Sequence, residues 1–406
     1  NAGGFSFVLD DWKRLERFLI LGTEGGTFYV SEQKLTKDNA KVIEKLIKAD
    51  GLTVVETVVA VSDSGRALKN DPAIFVLAMA AGLGDADTKA AALEALPKVC
   101  RTGTHLFHFA EFVGQFRGWG RGLRKAVGNW YNNLDEMQLA YQLTKYQSRD
   151  GWSNRDLLRL SHPAPKSSAH AELFKYAVGK EFKLSDNRAL QYLGAVEELK
   201  KTTDVKSAVK LIEKYKLPRE VVPTQLLNEV KVWEALLPSM PLNALIRNLG
   251  KMSNVGLLTS NLSDGTKQVI AKLGDGDYLR KSRVHPMAVL IALKMYARGR
   301  GNLGKLSWTS VPRIVDALDE AFYTTFDNVE PSGEDYLLAL DISGSMTMGG
   351  CVGADVITPR EGSAAMALIT ASREKSSEIM GFGSTFMPLN ISPRMRLDEV
   401  LKKINN

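Results

Sequence analysis

The residues with the clearest potential for chemistry are one carboxylate and two hydroxyls at alternate positions, Asp341, Ser343 and Ser345. They follow residues 337–340, a short apolar run that predicts a fully buried strand. Oxygen ligands at this spacing, at the carboxyl end of a strand, can converge on a hard divalent cation such as Mg²⁺. The same residue types also form turns that end a strand without binding an ion, so the spacing alone leaves both interpretations open.

A second group of candidates lies in a basic, aromatic stretch from residue 101 to residue 165, with nine Lys and Arg against five Asp and Glu. Lys145 and Arg149 are four residues apart, so a helix through both would present them on one face. Like charges so placed repel slightly; a phosphate backbone would offset that cost, and nearby aromatic rings could stack unpaired bases. A solvated face above a core of Trp and Tyr would give the same pattern. Other candidates for RNA contacts in this stretch are Arg121, Arg124 and Arg155.

The histidines form no recognisable catalytic or metal motif. None pairs with a cysteine at the spacing of a zinc site, and no nucleophile motif such as GxSxG is present. His105 and His108 stand beside phenylalanines and are expected to pack between helices. His162 ends a predicted helix before Pro163, near Arg159, and is expected at a surface contact. The sequence therefore predicts no catalytic residues.

Composition limits the class of protein. The 406 residues are enough for two or more domains, and 44% hydrophobic with 24% charged residues is typical of a soluble globular protein. A net charge of +7 suits a polyanionic partner. Two distant cysteines, Cys100 and Cys351, predict a reducing, cytoplasmic setting without a disulfide framework. We find neither a signal peptide nor an apolar run that would span a bilayer, so no membrane partner is expected.

The elements that must position these candidates are mostly helices. From Asp10 to about Phe326, apolar residues recur at helical spacing in short segments separated by Gly, Asp, Asn or Ser. Many short helices with few strands indicate stacked helix pairs, an α-solenoid. Asp10 and Asp11 precede the first predicted helix, and Asp38 is predicted to cap the second, which stops at Gly51. Later helices are predicted at residues 52–62, 72–82, 87–99, 103–115, 119–133, 135–147, 168–178, 187–201, 205–215, 224–237, 241–250, 264–273, 286–298 and 312–326.

The pattern changes to α/β after a linker at residues 330–333. A strand at 335–340 precedes a helix at 360–374, a strand at 377–382 and a last helix at 399–404. Such an alternation indicates an α/β fold.

An ordered series of motifs resembles the Ro 60 kDa autoantigen family. The motifs are LGTEGGTFY at 21–29, WGR at 119–121, GWS at 151–153, DLLRLSH at 156–162 and RNLGKM at 247–252, and together they span nearly the whole chain. The resemblance implies a ring of HEAT-like helical repeats, the TROVE module, at residues 1–331. It also implies a von Willebrand factor A domain at 332–406. Only 73 residues follow Gly333 (406 − 333), so the C-terminal part of that domain is expected to be missing.

The resemblance also implies a function. Proteins of that family bind small non-coding Y RNAs on the outer surface of the ring, and take single-stranded 3′ ends of misfolded or decaying RNAs through its central hole. By resemblance, Lys145, Arg149 and His162 match the Y RNA surface. Asp341, Ser343 and Ser345 match the family's metal motif, whose remaining Thr and Asp ligands are expected beyond Asn406. Three basic residues at helix ends are expected to line the hole: Arg247, Lys251 and Arg283.

We therefore expect a non-catalytic, cytoplasmic RNA-binding protein that acts in RNA quality control and small-RNA stability. Mg²⁺ is the expected cofactor, and an exoribonuclease is a candidate partner. The rival hypothesis is a metal-dependent adhesion-type or co-chaperone scaffold, in which the metal at Asp341 binds an acidic side chain of a protein partner. An RNA hydrolase is a third class, but the sequence offers no set of carboxylates that would hold two metals.

Overall fold

The computed structural model describes residues 10–22, 40–65, 67, 69–301, 305–351 and 354–405. In these residues the chain is mainly helical with a small sheet near its C-terminus, as the sequence predicts. Two compact units make up the chain, Asn1–Lys201 and Thr202–Asn406. None of the described helices combines the length and apolarity needed to cross a membrane.

The first unit consists of short helices and one small hairpin. Side chains cap many helix starts; Asp10, for example, accepts from the backbone N–H of Lys13 at 2.8 Å. The helices are α1 (Asp11–Leu21), α2 (Lys41–Ser64), α3 (Asp71–Leu83), α4 (Ala86–Glu94), α5 (Leu96–Val99), α6 (Gly103–Gly114), α7 (Arg121–Asn133), α8 (Glu136–Lys145), α9 (Asn154–Ser161), α10 (Ser168–Ala177) and α11 (Arg188–Lys201). The strands are β1 (Ser148–Arg149) and β2 (Trp152–Ser153).

Helix α3 lies at the centre of the first unit. Residues 72–81, PAIFVLAMAA, are all buried, because a helix that is apolar on every side belongs in an interior. The ring of Phe75 meets three other phenylalanines, Phe18, Phe112 and Phe116, with centroids 6.1, 5.3 and 5.6 Å away. Gly82 allows this close packing, since a Cβ there would lie 2.3 Å from the Cβ of Phe116.

One predicted helix break in the first unit is confirmed and one predicted helix is wrong. The break expected at Gly51 is present as a kink at Asp50 (φ −155°, ψ 73°), where the backbone of α2 leaves the helical conformation. The predicted Asp38 cap and the motif at residues 23–29 lie outside the described residues. The predicted helix 87–99 breaks between α4 and α5, because Pro97 has no N–H to donate to the preceding turn.

The predicted helix 135–147 ends at Lys145, and the chain then forms the β1–β2 hairpin. Arg149 pairs with Trp152 across an Asp150–Gly151 turn in which both residues have positive φ, 52° and 80°. An Asp-Gly pair favours this two-residue turn. The prediction that Lys145 and Arg149 share one helix face is therefore wrong. Helix α9 lies outside the predicted helix ranges, although His162 was expected at a helix end. A reciprocal capping box between Ser153 and Asp156 begins this helix.

In the described residues of the second unit, seven helices precede the α/β segment, which adds two more helices and a small sheet. The helices are α12 (Val205–Tyr215), α13 (Val230–Leu236), α14 (Leu242–Asn254), α15 (Asp264–Leu273), α16 (Gly276–Ser282), α17 (Pro286–Arg298) and α18 (Pro312–Thr324). The predicted helix 224–237 is a 3₁₀ turn, Leu226–Asn228, followed by α13. Helix α16 was not predicted from the sequence.

The α/β segment follows in β3 (Asp335–Asp341), α19 (Pro359–Arg373), β4 (Ser376–Phe382), β5 (Phe386–Pro388) and α20 (Leu397–Asn405). β3 and β4 are parallel, and β5 joins β4 in antiparallel fashion. The prediction that β3 is fully buried is wrong for the described residues. Only one side chain in two faces α19, and Leu337 on the opposite face is 63% exposed. The predicted domain boundary at residues 331/332 stays a prediction.

Ion pairs join the last solenoid-type helices to the α/β segment within the second unit. Arg396 contacts Asp319 and Glu320 and lies over the ring of Tyr323, 4.2 Å from its centroid. Arg373 binds Asp327 at 2.7 Å in the same way. A further pair, Lys294 with Glu361 at 2.7 Å, joins α17 to α19. These contacts hold the α/β segment against α17 and α18.

One buried and two half-buried histidines make the fold sensitive to acid. Burial lowers the pKa of His105 to about 4, and burial also lowers the pKa values of His170 and His285. Because the pKa of such a histidine is lower in the folded chain than in the unfolded chain, the unfolded chain takes up the proton first as the pH falls. The stabilisation is therefore complete above about pH 6.5 and is lost as the pH falls toward 4.

Between pH 7 and pH 5 the free energy of unfolding falls. We expect this fall to be about 1–2 kcal/mol smaller in the His105→Gln protein than in the wild type, because the variant lacks one histidine that takes up a proton on unfolding. Urea unfolding at both pH values measures this difference. His162→Gln, at an exposed histidine, is the control and should lose as much as the wild type. An equal loss in all three proteins would show that His105 does not titrate on unfolding.

Candidate nucleic-acid interface

Helix α7 presents a basic face to solvent above an aromatic core. Trp130 and Tyr131 are buried on its inner face, and the Tyr131 hydroxyl donates to Oδ1 of Asn154 at 2.9 Å. Burial raises the pKa of Tyr131 well above its ordinary value, so the hydroxyl stays protonated as that donor. Arg121 and Arg124 are exposed in the first turns of the same helix. The sequence offered a solvated face over a Trp and Tyr core as one interpretation, and that core is present.

The arginines of this region other than Arg149, whose Nε lies 3.6 Å from Oδ1 of Asp150, fall into two groups. Arg101 donates to Ser62 and to the carbonyl of Lys98, and Arg117 donates to the carbonyl of Ala81 at 2.8 Å, so both brace the fold. The second group is exposed, and its guanidinium groups form no ion pair within the described part of the chain. It consists of Arg121, Arg124, Arg155 and Arg159. Positive charge without an internal counter-ion is available to a polyanion.

Lys145 is held by tyrosines rather than extended into solvent. Its Nζ donates to the Tyr141 hydroxyl at 2.7 Å and lies 5.0 and 5.4 Å from the ring centroids of Tyr141 and Tyr146. The cation–π contacts fix the ammonium group at the end of α8. Lys145 is half-buried, whereas Arg149 on β1 is exposed.

His108 positions the hairpin that carries Arg149. Its Nδ1 contacts Asp150 in the turn, and its Nε2 lies 3.6 Å from Oδ1 of Asp71 at the start of α3. The His108 ring also stacks on Phe112, at 6.2 Å. The packing role expected for His108 therefore includes a direct polar contact to the candidate interface. No local sequence pattern predicts that contact, because 42 residues separate the partners.

His162 ends α9 in the left-handed conformation (φ 46°, ψ 52°) and is exposed. That conformation is costly for a residue with a Cβ, so the surrounding chain must hold it there. Pro163 follows and packs on Gly128, where a Cβ would lie 3.1 Å from the proline Cβ. The predicted position of His162 at a helix end is thus confirmed. With Arg155 and Arg159 on α9, it forms a continuous basic edge along one helix.

A depression at the start of α9 was not predicted as a site. It has a volume of about 370 Å³ and is lined by Gly151, Trp152, Asp156, Arg159 and Leu160. The hairpin turn and the capping box bring these residues together, although the sequence motifs that contain them were recognised only as family signatures.

The basic residues expected to line a hole all lie in the second unit. Arg247 is exposed on α14, and Lys251, one turn later, donates to Oδ1 of Asn228 at 2.8 Å. Arg283 ends α16 in the left-handed conformation, with φ 50°, and is exposed. Their role at a hole stays a prediction.

The Asp-x-Ser-x-Ser motif forms a compact cluster of oxygens at the end of β3. Oδ1 of Asp341 accepts from the Ser343 backbone N–H at 2.8 Å, and the hydroxyls of Ser343 and Ser345 lie 3.0 Å apart. Hydrogen bonds from Ser343 lower the pKa of Asp341, with a smaller effect of the Arg360 charge. Arg360 donates to the carbonyls of Ile342 and Ser343 at 2.7 and 2.8 Å and so ties down this loop.

These residues fit part of a magnesium site. One ionised carboxylate and two hydroxyls are hard oxygen ligands, and they would supply three of the six positions that Mg²⁺ takes. Among the described residues, no group of three or more His, Cys, Asp or Glu side chains is placed to hold a metal. Any complete shell would therefore need oxygens other than those of the motif.

Comparison with known proteins places the chain in one family. A TROVE domain model matches residues 1–295, and a Ro60 vWA domain model matches residues 335–406. The protein is 41% identical over 405 residues to the RNA-binding protein RO60 of Deinococcus radiodurans, covering 99% of this chain and 76% of that protein. It is 34% identical to RNA-binding protein RO60 of Caenorhabditis elegans, covering 100% of this chain and 74% of that protein.

The fold agrees with these matches. The crystal structure of the Deinococcus radiodurans RO (RSR) protein superimposes with a TM-score of 0.83 at 40% identity, covering 97% of this chain and 80% of that one. The resemblance predicted from the motifs is confirmed along the length of the chain. The protein is a member of the Ro60 family of RNA-binding proteins.

Proposed function

We propose that the protein binds small non-coding Y RNAs through the basic surface formed by α7, the β1–β2 hairpin and α9. The observation that supports this most is the set of four exposed arginines without an ion pair among the described residues, Arg121, Arg124, Arg155 and Arg159. Arg149 and His162 extend the same surface at the hairpin and at the end of α9. Guanidinium groups so presented make charge-assisted hydrogen bonds to phosphates.

We also propose that the protein binds single-stranded 3′ ends of misfolded or decaying RNAs in a central hole. Arg247, Lys251 and Arg283 would line part of this hole. The support is the family resemblance together with the exposure of Arg247 and Arg283. The protein would act without catalysis, in the cytoplasm, in RNA quality control and small-RNA stability, with an exoribonuclease as the partner that degrades bound RNA.

A comparison of two matched RNAs tests this function. We expect tighter binding to an RNA with a free single-stranded 3′ tail than to the same RNA made blunt, because basic residues hold the backbone while the hole excludes a duplex. A gel-shift assay at fixed salt measures both affinities. Equal affinity for both RNAs, or equal competition by duplex DNA, would remove the hole from the proposal and leave only the outer surface.

We further propose that Asp341, Ser343 and Ser345 hold Mg²⁺, which would offer an open coordination position to an acidic ligand. Asp341→Asn should abolish Mg²⁺ binding, because it removes the only ionised ligand of the motif, while RNA affinity stays unchanged. Isothermal titration with Mg²⁺ and a gel shift with RNA give the two readouts. Thr347→Ala, in the same turn but outside the motif, is the control. Loss of RNA binding with retention of Mg²⁺ would contradict this division of roles.

A further inference from the structure

The depression beside α9 offers a mixed set of groups to one ligand. An indole, a guanidinium, a carboxylate and an aliphatic side chain, those of Trp152, Arg159, Asp156 and Leu160, line about 370 Å³ of space. This volume lies within the range of sites for small organic groups. An apolar wall with a few convergent polar groups is also the usual composition of such sites.

The indole of Trp152 is fixed by two contacts within the protein. Its Nε1 donates to Oε2 of Glu111 at 3.1 Å, and its ring lies against Trp119 with the centroids 5.6 Å apart. Its only hydrogen-bond donor is therefore already used. The indole consequently offers apolar ring surface to the depression, and it is held in place before any ligand arrives.

Two polar groups that line the depression remain available to contact a ligand. Oδ2 of Asp156 accepts from the backbone N–H and the hydroxyl of Ser153, at 3.0 and 2.5 Å, and this bond fixes the carboxylate at the start of α9. Oδ1 of Asp156 receives no hydrogen bond from a described residue. The guanidinium of Arg159, one helical turn later, forms no ion pair within the same described residues. One acceptor and one cation are therefore available on one side of the indole.

We propose that this depression binds a single unpaired nucleobase of a bound RNA. The base stacks on Trp152, its exocyclic amino group donates to Oδ1 of Asp156, and the adjacent phosphate contacts Arg159. The inference rests on the proposed RNA-binding function and adds a subsite for one unstacked nucleotide. A carboxylate accepts but does not donate, so the subsite prefers adenine, guanine or cytosine, which carry an exocyclic amino group. Uracil offers only a ring N3–H between two carbonyl oxygens, and these oxygens repel the carboxylate.

Fluorescence of 2-aminopurine tests the subsite directly. The probes are two RNA hairpins of the same sequence, one with a single bulged 2-aminopurine and one with that base paired inside the stem. We expect the full chain to quench the bulged probe. Trp152→Leu should lower its affinity for the bulged hairpin by roughly 5- to 150-fold, the range for losing one stacked base, and leave the paired hairpin unaffected. Trp152→Phe should keep most of the affinity, because an aromatic face remains.

Two comparisons separate the subsite from general phosphate binding. Arg155→Gln, four residues from Arg159 and outside the depression, should weaken binding to both hairpins by the same factor. In the wild-type protein, a bulged adenine should bind more tightly than a bulged uracil. Circular dichroism of each variant shows whether the helices remain. If the Trp152→Leu protein unfolds, the same binding comparison is made with Arg159→Gln and Trp152→Phe instead.

Three results would overturn the proposal. If a folded Trp152→Leu protein keeps the wild-type preference for the bulged hairpin, the subsite is refuted while RNA binding stands. An equal loss for both hairpins in that variant also refutes the subsite, since it shows a role of Trp152 in the whole surface. Failure of the wild-type protein to bind either hairpin would refute the proposed function together with this inference.

Discussion

Replacing Arg121, Arg124 and Arg149 together by glutamine is expected to weaken binding of a structured small RNA by two to three orders of magnitude or more. Each lost hydrogen bond to a charged phosphate costs about 1.5–3 kcal/mol, which is at least tenfold in affinity. The plot of log affinity against log salt should also flatten, by roughly 0.7–0.9 for each contact. Glutamine keeps most of the side-chain length, and all three arginines are exposed, so the fold should be unchanged.

A control with the same change in net charge separates position from charge. Lys206, Lys210 and Lys214 are exposed on α12, in the other unit of the protein. Their glutamine variants should keep nearly the wild-type affinity and slope. Filter binding from about 50 to 200 mM salt measures both quantities. If the two triple variants behave alike, the surface formed by α7, the hairpin and α9 is not the site.

Phe75→Ala is expected to destabilise the first unit by about 3–5 kcal/mol, the cost of removing a fully buried aromatic side chain. Phe75 contacts Phe112, which stacks on His108, and His108 contacts the hairpin turn at Asp150. The cavity would therefore lie at the base of the contacts that position Arg149. We expect RNA affinity to fall in this variant even below its unfolding temperature.

Urea unfolding measures the loss of stability, and Phe75→Leu should lose less because it refills most of the volume. Phe386→Ala is the surface control, because Phe386 is 58% exposed, and should change stability by no more than about 0.5 kcal/mol. A Phe75→Ala protein with near wild-type stability would mean that α3 is not the centre of the unit.

The helices could be predicted from the sequence because their apolar residues recur at a period that only a helix satisfies. Helix α14 illustrates this, since its buried residues recur every three or four positions, at Leu242, Leu245, Ile246, Leu249 and Met252. The change to an α/β fold was predicted from the strand–helix–strand order, and the parallel pairing of β3 with β4 was seen only in the structure. Membership of the family could be predicted because the order of the motifs along the chain is specific to that family. The chemistry of the individual motifs is not.

The candidate site was harder to predict because its geometry depends on one turn. Asp150 and Gly151 reverse the chain where the charge pattern suggested a longer helix, and this moved Arg149 off the face of Lys145. The depression at Trp152 exists only because that turn is followed at once by the capping box of α9. Contacts such as His108 with Asp150 join residues far apart in sequence, so no local pattern could reveal them.

The ion pairs that hold the α/β segment against α18 have a consequence for any truncated form of the protein. A fragment cut at the apparent linker would lose Arg373 and Arg396, and with them the counter-ions of three carboxylates. Asp319, Glu320 and Asp327 would then form an acidic patch at the new end of the chain. Such a patch repels a polyanion, so RNA affinities measured on the fragment would understate those of the intact chain, most strongly at low ionic strength.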